Sequence, residues 1–528
     1  MSSRAVCSAL FAVVLSSAGA SLRAYDCDGL ARISLPAVSA VTAQNVNAGD
    51  FAPPYGDTLH KLPAFCRFAA VIRPSDDSYI RFEVWMPQSG WNGRLLAAGN
   101  GGFAGSIDYG ALGRNIGHGY ATAATDTGHE GAAVDASWAF HHPEKVIDFG
   151  YRALHLTIEN ANSVIRAFYG KTPDHSYFDA CSDGGREALM EAQRYPEDFD
   201  GILAGAPANF WTHLLGAGLA GVGEMLENPV SYVSSTKLPA IQAAALAACD
   251  SDDGLKDGII GDPSNCRFDA SVLQCTGVET RRCLTAPQVS ALKKLYRGAA
   301  DDHGKQLFPG LVPGAEDGAN GWTNWVTGQG PGISSGMGFA ENYFRYIVYE
   351  DPKWNSLTAR TDESVRAADE KTAQALNATD PDLSRFQARG GKLILYHGWN
   401  DPAISPWNTI DYFKSVQNKM GSQMVAKFVR VYMIPGMQHC VGGPGASFFG
   451  QLGTSTTEGH SIYLALEHWV EQGAEPENII GTKYVDDTSS KGVRFTRPLC
   501  DYPKVPIYKG TGDPNDQANF ACEPGKAN

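Results

Sequence analysis

The string Ala180-Cys181-Ser182-Asp183-Gly184-Gly185 joins a strand-like run, residues 176–181, to a helix-like run, residues 184–194, that Pro196 stops. A serine carried on so sharp a turn needs small residues two before and two after it, and Ala180 and Gly184 stand there. Ala180 occupies a place where glycine is usual, a sterically mild departure. The turn lifts the hydroxyl above a sheet and aims a helix N-terminus at it, so the Asp183 N–H would be one oxyanion donor. The chemistry such a serine performs is attack on an acyl carbon. A serine in an ordinary loop does none of this, and the strand-turn-helix context separates the two cases.

A nucleophilic serine needs a base, and the base needs an orienting acid. Residues 392–396 (KLILY) read as a buried strand that runs into His397-Gly398-Trp399-Asn400-Asp401-Pro402. Residues 427–434 (KFVRVYMI) read as the next strand and run into Pro435-Gly436-Met437-Gln438-His439-Cys440. Asp401 and His439 thus fall just past strand ends, in the chain order serine, acid, histidine. His439 would deprotonate Ser182 and later protonate the leaving group, with Asp401 fixing its tautomer. A lone loop histidine is more often a surface residue, but the order and the strand-end positions argue against that here. The second oxyanion N–H is expected from the Gly-rich run 99–105 after a short strand at 95–98, from Gly101 or Gly102. Cys181 precedes the serine and Cys440 follows the histidine. If Ser182 and His439 hydrogen-bond, their neighbours are forced close and a Cys181–Cys440 disulfide becomes feasible; two buried thiols are the alternative.

The elements that must hold these residues alternate. Strands at 80–87, 95–98 and 119–125 precede an amphipathic helix at 144–168 stopped by Gly170; strand 176–181, helix 184–194 and strand 201–205 follow. That alternation predicts an α/β fold with a mostly parallel central sheet. It breaks near Trp211 and resumes at residue 389 with strand 392–396, helix 407–420, strand 427–434 and helix 460–473. One core, 25–211 and 389–528, is therefore split by an insertion over 212–388. Residues 25 to about 67 read as an irregular arm.

The chain has 528 residues, of which 43% are hydrophobic and 19% charged, enough apolar material for a core. Its net charge of -14, from 57 acids and 43 bases, excludes a nucleic-acid partner, which demands excess Lys and Arg. Residues 1–24 carry Arg4, an apolar run and small residues at the end, the pattern of a secretory signal peptide. No later stretch reaches ~18 uninterrupted apolar residues, so no membrane span is expected. Of 11 cysteines, Cys7 lies in the leader. The even remainder fits disulfides in a secreted or periplasmic protein.

Cys-Ser-x-Gly-Gly, then Asp, then His-Cys resembles the tannase and feruloyl esterase family of α/β-hydrolases, which includes the hydrolase of mono(2-hydroxyethyl) terephthalate. The likeness spans most of the chain: GNGGFAG at 99–105, ATDTGH at 124–129, DACSDGGREAL at 179–189, YHGWND at 396–401, MQHC at 437–440, and RPLC and ANFAC near the end. It implies an α/β-hydrolase with a large inserted lid, the triad Ser182, Asp401 and His439, and the Cys181–Cys440 bridge. It also implies a structural Ca²⁺ in the acidic loop 249–266, held by side chains of Asp250, Asp253 and Asp257 and carbonyls of Leu255 and Ile259. The loop is not an EF-hand: counting from Asp250, Gly254 and Gly261 fall where ligands belong. Composition alone reads it as a solvated acidic turn. A Cys249–Cys266 bridge would close it, and the remaining cysteines pair by proximity as Cys275–Cys283, Cys500–Cys522 and Cys27–Cys66, connectivities that sequence cannot prove.

The insertion and its near edge are aromatic, with Trp211, Trp322, Trp325, Phe339, Tyr343 and Phe344 among others. Most would form its own core and a few could stack on an aromatic acyl group. Arg345 and Arg360 are candidates to meet a substrate carboxylate, Ile404 and Pro406 to form an apolar wall. His397 reads equally as a pocket residue or a structural one. The expected function is a secreted serine esterase acting on small aromatic esters of feruloyl or galloyl type, with terephthalate monoesters as the alternative. A calcium-stabilised binding protein with a dead triad and a serine peptidase are lesser readings. Oligomeric state is not legible.

Overall fold

The computed structural model describes residues 25–318 and 320–525. The expected leader, residues 1–24 with Cys7, lies outside the described residues. Among these, nine strands form the central sheet: β1 (Val38–Val46), β2 (Phe65–Ile72), β3 (Ile80–Pro87), β4 (Arg94–Ala98), β5 (Ala121–Thr125), β6 (His175–Cys181), β7 (Gly201–Gly205), β8 (Lys392–Gly398) and β9 (Val429–Ile434). Their order across the sheet is β1-β2-β3-β5-β4-β6-β7-β8-β9. β1, β2, β3 and β5 pair antiparallel in turn. From β5 onward each neighbouring pair is parallel. β5 and β7 are buried along their whole length, as parallel strands covered on both faces must be.

Helices Ala153–Tyr169, Asp183–Arg194 and Pro406–Met420 pack on one face, where Leu154, Ile158, Leu189 and Ile410 join Phe178, Leu393 and Val431 of the sheet. Helix Ile462–Gln472 covers part of the other face through Ile462, Leu466 and Trp469 against Tyr177, Tyr396 and Tyr432. The helix expected at 144–168 begins at Pro143, passes through a π turn at Asp148–Arg152, and ends at Gly170, whose φ of 78° is the left-handed stop.

The expected irregular arm is instead structured: it holds β1 and the start of β2. β1 is an edge strand whose side chains are mostly exposed, so its sequence VSAVTAQNV lacks the apolar alternation that marks a half-buried strand. The Cys27–Cys66 bridge ties the chain ahead of β1 to β2.

Between β7 and β8 the chain leaves the sheet. Helices Trp211–Glu227, Leu238–Cys249, Ala286–Arg297 and Thr361–Leu376 dominate this segment. Part of it has its own core, with Leu238, Ile241, Leu292 and Trp322 fully buried. Another part packs Tyr343 and Phe344 against Phe103 and Trp211. The ten described cysteines form the five expected pairs: Cys27–Cys66, Cys181–Cys440, Cys249–Cys266, Cys275–Cys283 and Cys500–Cys522.

Candidate active site

The parallel register lines up the strand ends that carry the chemistry. Cys181 pairs with Gly205, and Gly205 with Tyr396, so β6 and β7 finish level with Tyr396, two residues before the end of β8. Ser182 follows β6 with φ 69° and ψ -121°, a strained conformation that persists because the surroundings fix it. Its N–H donates to Gly205 O at 2.9 Å, and its carbonyl accepts the Ala208 N–H at 3.1 Å. A Cβ on Gly184 would come within 2.6 Å of the Ala180 Cβ and 2.8 Å of Asn100 O. The Ala180 methyl is therefore accommodated because Gly184 has no side chain.

The structure brings Ser182, His439 and Asp401 into one line. His439 Nε2 is 3.0 Å from Ser182 Oγ, and His439 Nδ1 is 2.7 Å from Asp401 Oδ2. Asp401 is fully buried; its Oδ1 accepts the N–H groups of Ala403 and Ile404 at 2.8 and 3.0 Å. Burial by itself would raise the Asp401 carboxyl, but the charges and hydrogen bonds of His439 and His397 outweigh it and hold the group well below the usual carboxylate range. The loops bearing acid and base are joined through Asn400, whose N–H donates to Met437 O and whose Oδ1 accepts the Gly436 N–H. The Cys181–Cys440 disulfide, with Cα atoms 6.0 Å apart, clamps the serine and histidine from the other side.

Gly102 and Asp183 border the same cavity as Ser182, a space of about 490 Å³. Gly101 borders a second cavity of about 810 Å³, which Ser182 and His439 also line. Gly102 has φ +62°, and a Cβ there would lie 2.4 Å from Ala133 O, so only glycine fits. The loop is hung from its neighbours: Asn100 N–H donates to Glu187 Oε2 at 2.9 Å, and Asn100 O accepts the Gly184 N–H at 2.8 Å. Asp183 turns its carboxylate to the fully buried Arg186, whose Nε donates to Asp183 Oδ1 at 2.6 Å. Arg186 also donates to the carbonyls of Gly150 and Phe149 and lies over the rings of Phe149 and Trp211. Sequence reading missed Glu187 and Arg186; their spacing of four and three from Asp183 along one helix was the available signal.

The first cavity runs from Ser182 between core and insertion. Trp211, Leu215, Phe308, Val326, Phe339 and Ile404 wall it. Trp325 stands at the junction of the two cavities, edge-on to His439 at 5.1 Å and stacked on Phe339 at 6.0 Å. Of the other candidates, Trp322, Tyr343 and Phe344 are buried in the insertion's own packing. Arg345 donates to Trp354 O, and Arg360 pairs with Asp302, Asp362 and Glu363, so both are held elsewhere. Pro406 opens helix Pro406–Met420 and does not border the cavity.

In the acidic loop, Asp250 accepts the N–H groups of Gly258 and Ile259, and Asp253 accepts that of Leu255. Asp257 accepts the Ile259 N–H and pairs with Arg497 at 2.6 Å. Burial raises the Asp253 carboxyl to about 7, and the adjacent charges of Asp257 and Asp250 add to the rise. Three carboxylates with interspersed carbonyls are hard oxygen donors, and their mutual repulsion is what a divalent cation relieves. Oxygen donors of this kind are the chemistry a hard cation such as Ca²⁺ takes, and Arg497 already neutralises part of the charge at Asp257.

Sheet order and strand-end site define an α/β-hydrolase with serine, histidine and aspartate aligned at the carboxyl edge of its sheet. The chain belongs to the tannase and feruloyl esterase family, whose profile matches residues 66–523. It is 41% identical to an uncharacterized esterase of Xanthomonas campestris pv. campestris over 94% of this chain and 91% of that one. A probable feruloyl esterase B-2 of Aspergillus terreus is 33% identical, covering 90% of each chain. Among solved structures, feruloyl esterase B from Aspergillus oryzae superposes with a TM-score of 0.86 at 31% identity, over 94% of this chain and 99% of that one. The tannin acyl hydrolase from Aspergillus niger shares the fold, with a TM-score of 0.73 at 23% identity over 92% of each. The protein is a carboxylic ester hydrolase.

Proposed function

We propose that this hydrolase cleaves esters of aromatic carboxylic acids through an acyl-enzyme formed on Ser182. The observation that carries the reading is the aromatic and aliphatic cavity that opens directly at Ser182 and is walled by Trp211, Phe339 and Ile404. A planar acyl group buries its ring there, where aromatic contacts add to apolar burial. His439 Nε2 takes the Ser182 proton as Oγ attacks the ester carbon. The oxyanion that forms is met by the N–H groups of Gly102 and Asp183. His439 then gives the proton to the departing alcohol oxygen, and water, deprotonated by the same nitrogen, releases the acid. The insertion acts as the lid that keeps the cavity dry.

A panel of methyl ferulate, methyl gallate, mono(2-hydroxyethyl) terephthalate, p-nitrophenyl acetate and casein tests this. At least one aromatic ester is expected to exceed the acetate about tenfold or more in kcat/KM, the scale of discrimination an apolar pocket supplies. Preference for the acetate, or cleavage of casein alone, would overturn it. Arg297 also lines the cavity, which favours terephthalate monoester as the second reading, since its free carboxylate would meet positive charge. Absence of terephthalate product removes that reading.

The acidic loop is proposed to hold Ca²⁺ through Asp250, Asp253 and Asp257 with the carbonyls of Leu255 and Ile259, where the ion supplies structural charge compensation. Excess chelator is expected to lower the Tm by several degrees, consistent with the loss of a ligand that binds only the folded state, while kcat at 25 °C changes less than about twofold. An unchanged Tm would contradict metal at this loop. The five disulfides support export from a reducing cytosol. No helix among the described residues is long and apolar enough to cross a membrane.

A further inference from the structure

We propose that His397 is a positioning residue of the ester hydrolysis: its Nε2–H fixes the Asp401 carboxylate and moderates the pull of that carboxylate on His439. The inference rests on the triad reading above and extends it to a fourth side chain. His397 is fully buried near the end of β8 and does not border either cavity at Ser182. Its Nε2 lies 3.1 Å from Asp401 Oδ2 and 3.1 Å from Ile404 O. Both oxygens are acceptors, so Nε2 carries the proton. Its Nδ1 lies 2.7 Å from Thr409 Oγ1, a hydroxyl that donates to it. One tautomer satisfies every partner, and the ring is held from three directions.

The consequence falls on a single oxygen. Asp401 Oδ2 accepts both His439 Nδ1–H at 2.7 Å and His397 Nε2–H at 3.1 Å, while Oδ1 is occupied by the two backbone N–H groups of Ala403 and Ile404. The carboxylate cannot rotate without breaking several bonds, so the direction in which it holds the His439 ring is fixed. The second donor on Oδ2 also draws charge away from the bond to His439. The groups facing this oxygen are His397 from β8, His439 from the loop after β9, and the backbone of the 401–405 turn. Helix Pro406–Met420 faces His397 with Thr409, and His397 pairs across the sheet with Met433 of β9, which does not titrate. Ser182 and the edge of Trp325 face His439.

Two amide substitutions separate donation from packing. In His397→Gln the amide nitrogen reaches the place of Nε2 and can still donate to Asp401. In His397→Asn it reaches only the place of Nδ1, toward Thr409. For His397→Asn, kcat is expected to fall about 10- to 100-fold with KM within about threefold, the cost of misorienting a catalytic group. The acidic limb of kcat/KM against pH, which reports the general base, should move upward by roughly half a unit. His397→Gln should keep the limb of the parent enzyme and recover most of kcat. If the asparagine variant does not fold, His397→Leu, equally unable to donate to Asp401, replaces it. A donorless variant with the parent's limb and kcat, or a glutamine variant as impaired as the donorless one, would overturn the proposal. Ser182→Ala, run alongside, separates the two claims: if it is inactive while the donorless variant behaves as the parent, the positioning role alone falls; if it still hydrolyses ester, the triad reading falls with it.

Discussion

Ser182→Ala lowers kcat for an aromatic ester by about 10⁴- to 10⁶-fold, the range seen when a nucleophile is removed from a working triad, and leaves the Tm within about 2 °C. The size follows from what the hydroxyl does. It is the atom 3.0 Å from His439 Nε2 at the mouth of the acyl cavity, and the residual rate comes from the oxyanion donors and binding alone. The small change in stability follows from the backbone. The strained φ of 69° is held by the Ser182 N–H to Gly205 O and by the Ser182 carbonyl accepting the Ala208 N–H, neither of which uses the hydroxyl. Steady-state kinetics with a melting curve check both halves. A variant that melts normally and keeps more than about a hundredth of the activity would show that the acyl group is transferred to another atom.

Removing the Cys181–Cys440 bridge, as Cys181→Ser with Cys440→Ser, costs stability and activity together. The bridge closes a loop of sequence separation 259. The chain-entropy model gives about 5.5 kcal/mol for such a loop as an upper figure, and measured bridges more often give about 2–4 kcal/mol. A fall in Tm of roughly 2–5 °C is expected for a chain of this length. The catalytic loss has a separate origin. Cys440 sits at φ 61° beside His439, and with the clamp gone the loop after β9 is held mainly by Gln438 to Ala315 and Asp317 and by Asn400. Widening the Ser182–His439 contact lowers kcat about 10- to 100-fold. Calorimetry and kinetics at 25 °C, where the variant remains folded, measure the two losses. Parent activity in a variant of lowered Tm would assign the bridge to stability alone.

The contrast between what sequence made legible and what it hid has physical causes. The elbow, Asp401 and His439 announce themselves because each follows a buried apolar strand, a run that single-sequence periodicity detects well. β1 stayed hidden because an exposed edge strand has no apolar face to alternate. Seven of its nine residues pair with β2 through backbone groups, about which side-chain types say little. Glycine gave a half answer at the loop after β4 that is proposed to supply the second oxyanion donor. Gly101 and Gly102 are equal as letters, and only the Ala133 carbonyl against Gly102 and the position of the cavity tell them apart. Aromatic side chains in the insertion were legible as a class but not as individuals. Trp325 and Phe339 face the cavity and Trp322 faces the insertion's core, although Trp322 and Trp325 lie on the same short helix, Trp322–Trp325. His397 stayed ambiguous because its role depends on contacts with Asp401, Ile404 and Thr409 that local spacing does not reveal. Arg345 and Arg360, plausible as letters, are spent on local partners.

In the proposed mechanism Ser182 carries the acyl group between the two halves of the reaction. Mixing the enzyme with excess p-nitrophenyl ester of an aromatic acid, quenching in acid during turnover and measuring peptide masses tests it most directly. A burst of nitrophenol approaching one equivalent is expected, with an added acyl mass on the peptide containing Ser182. No adduct during a full burst, or an acyl mass confined to another residue, would contradict it.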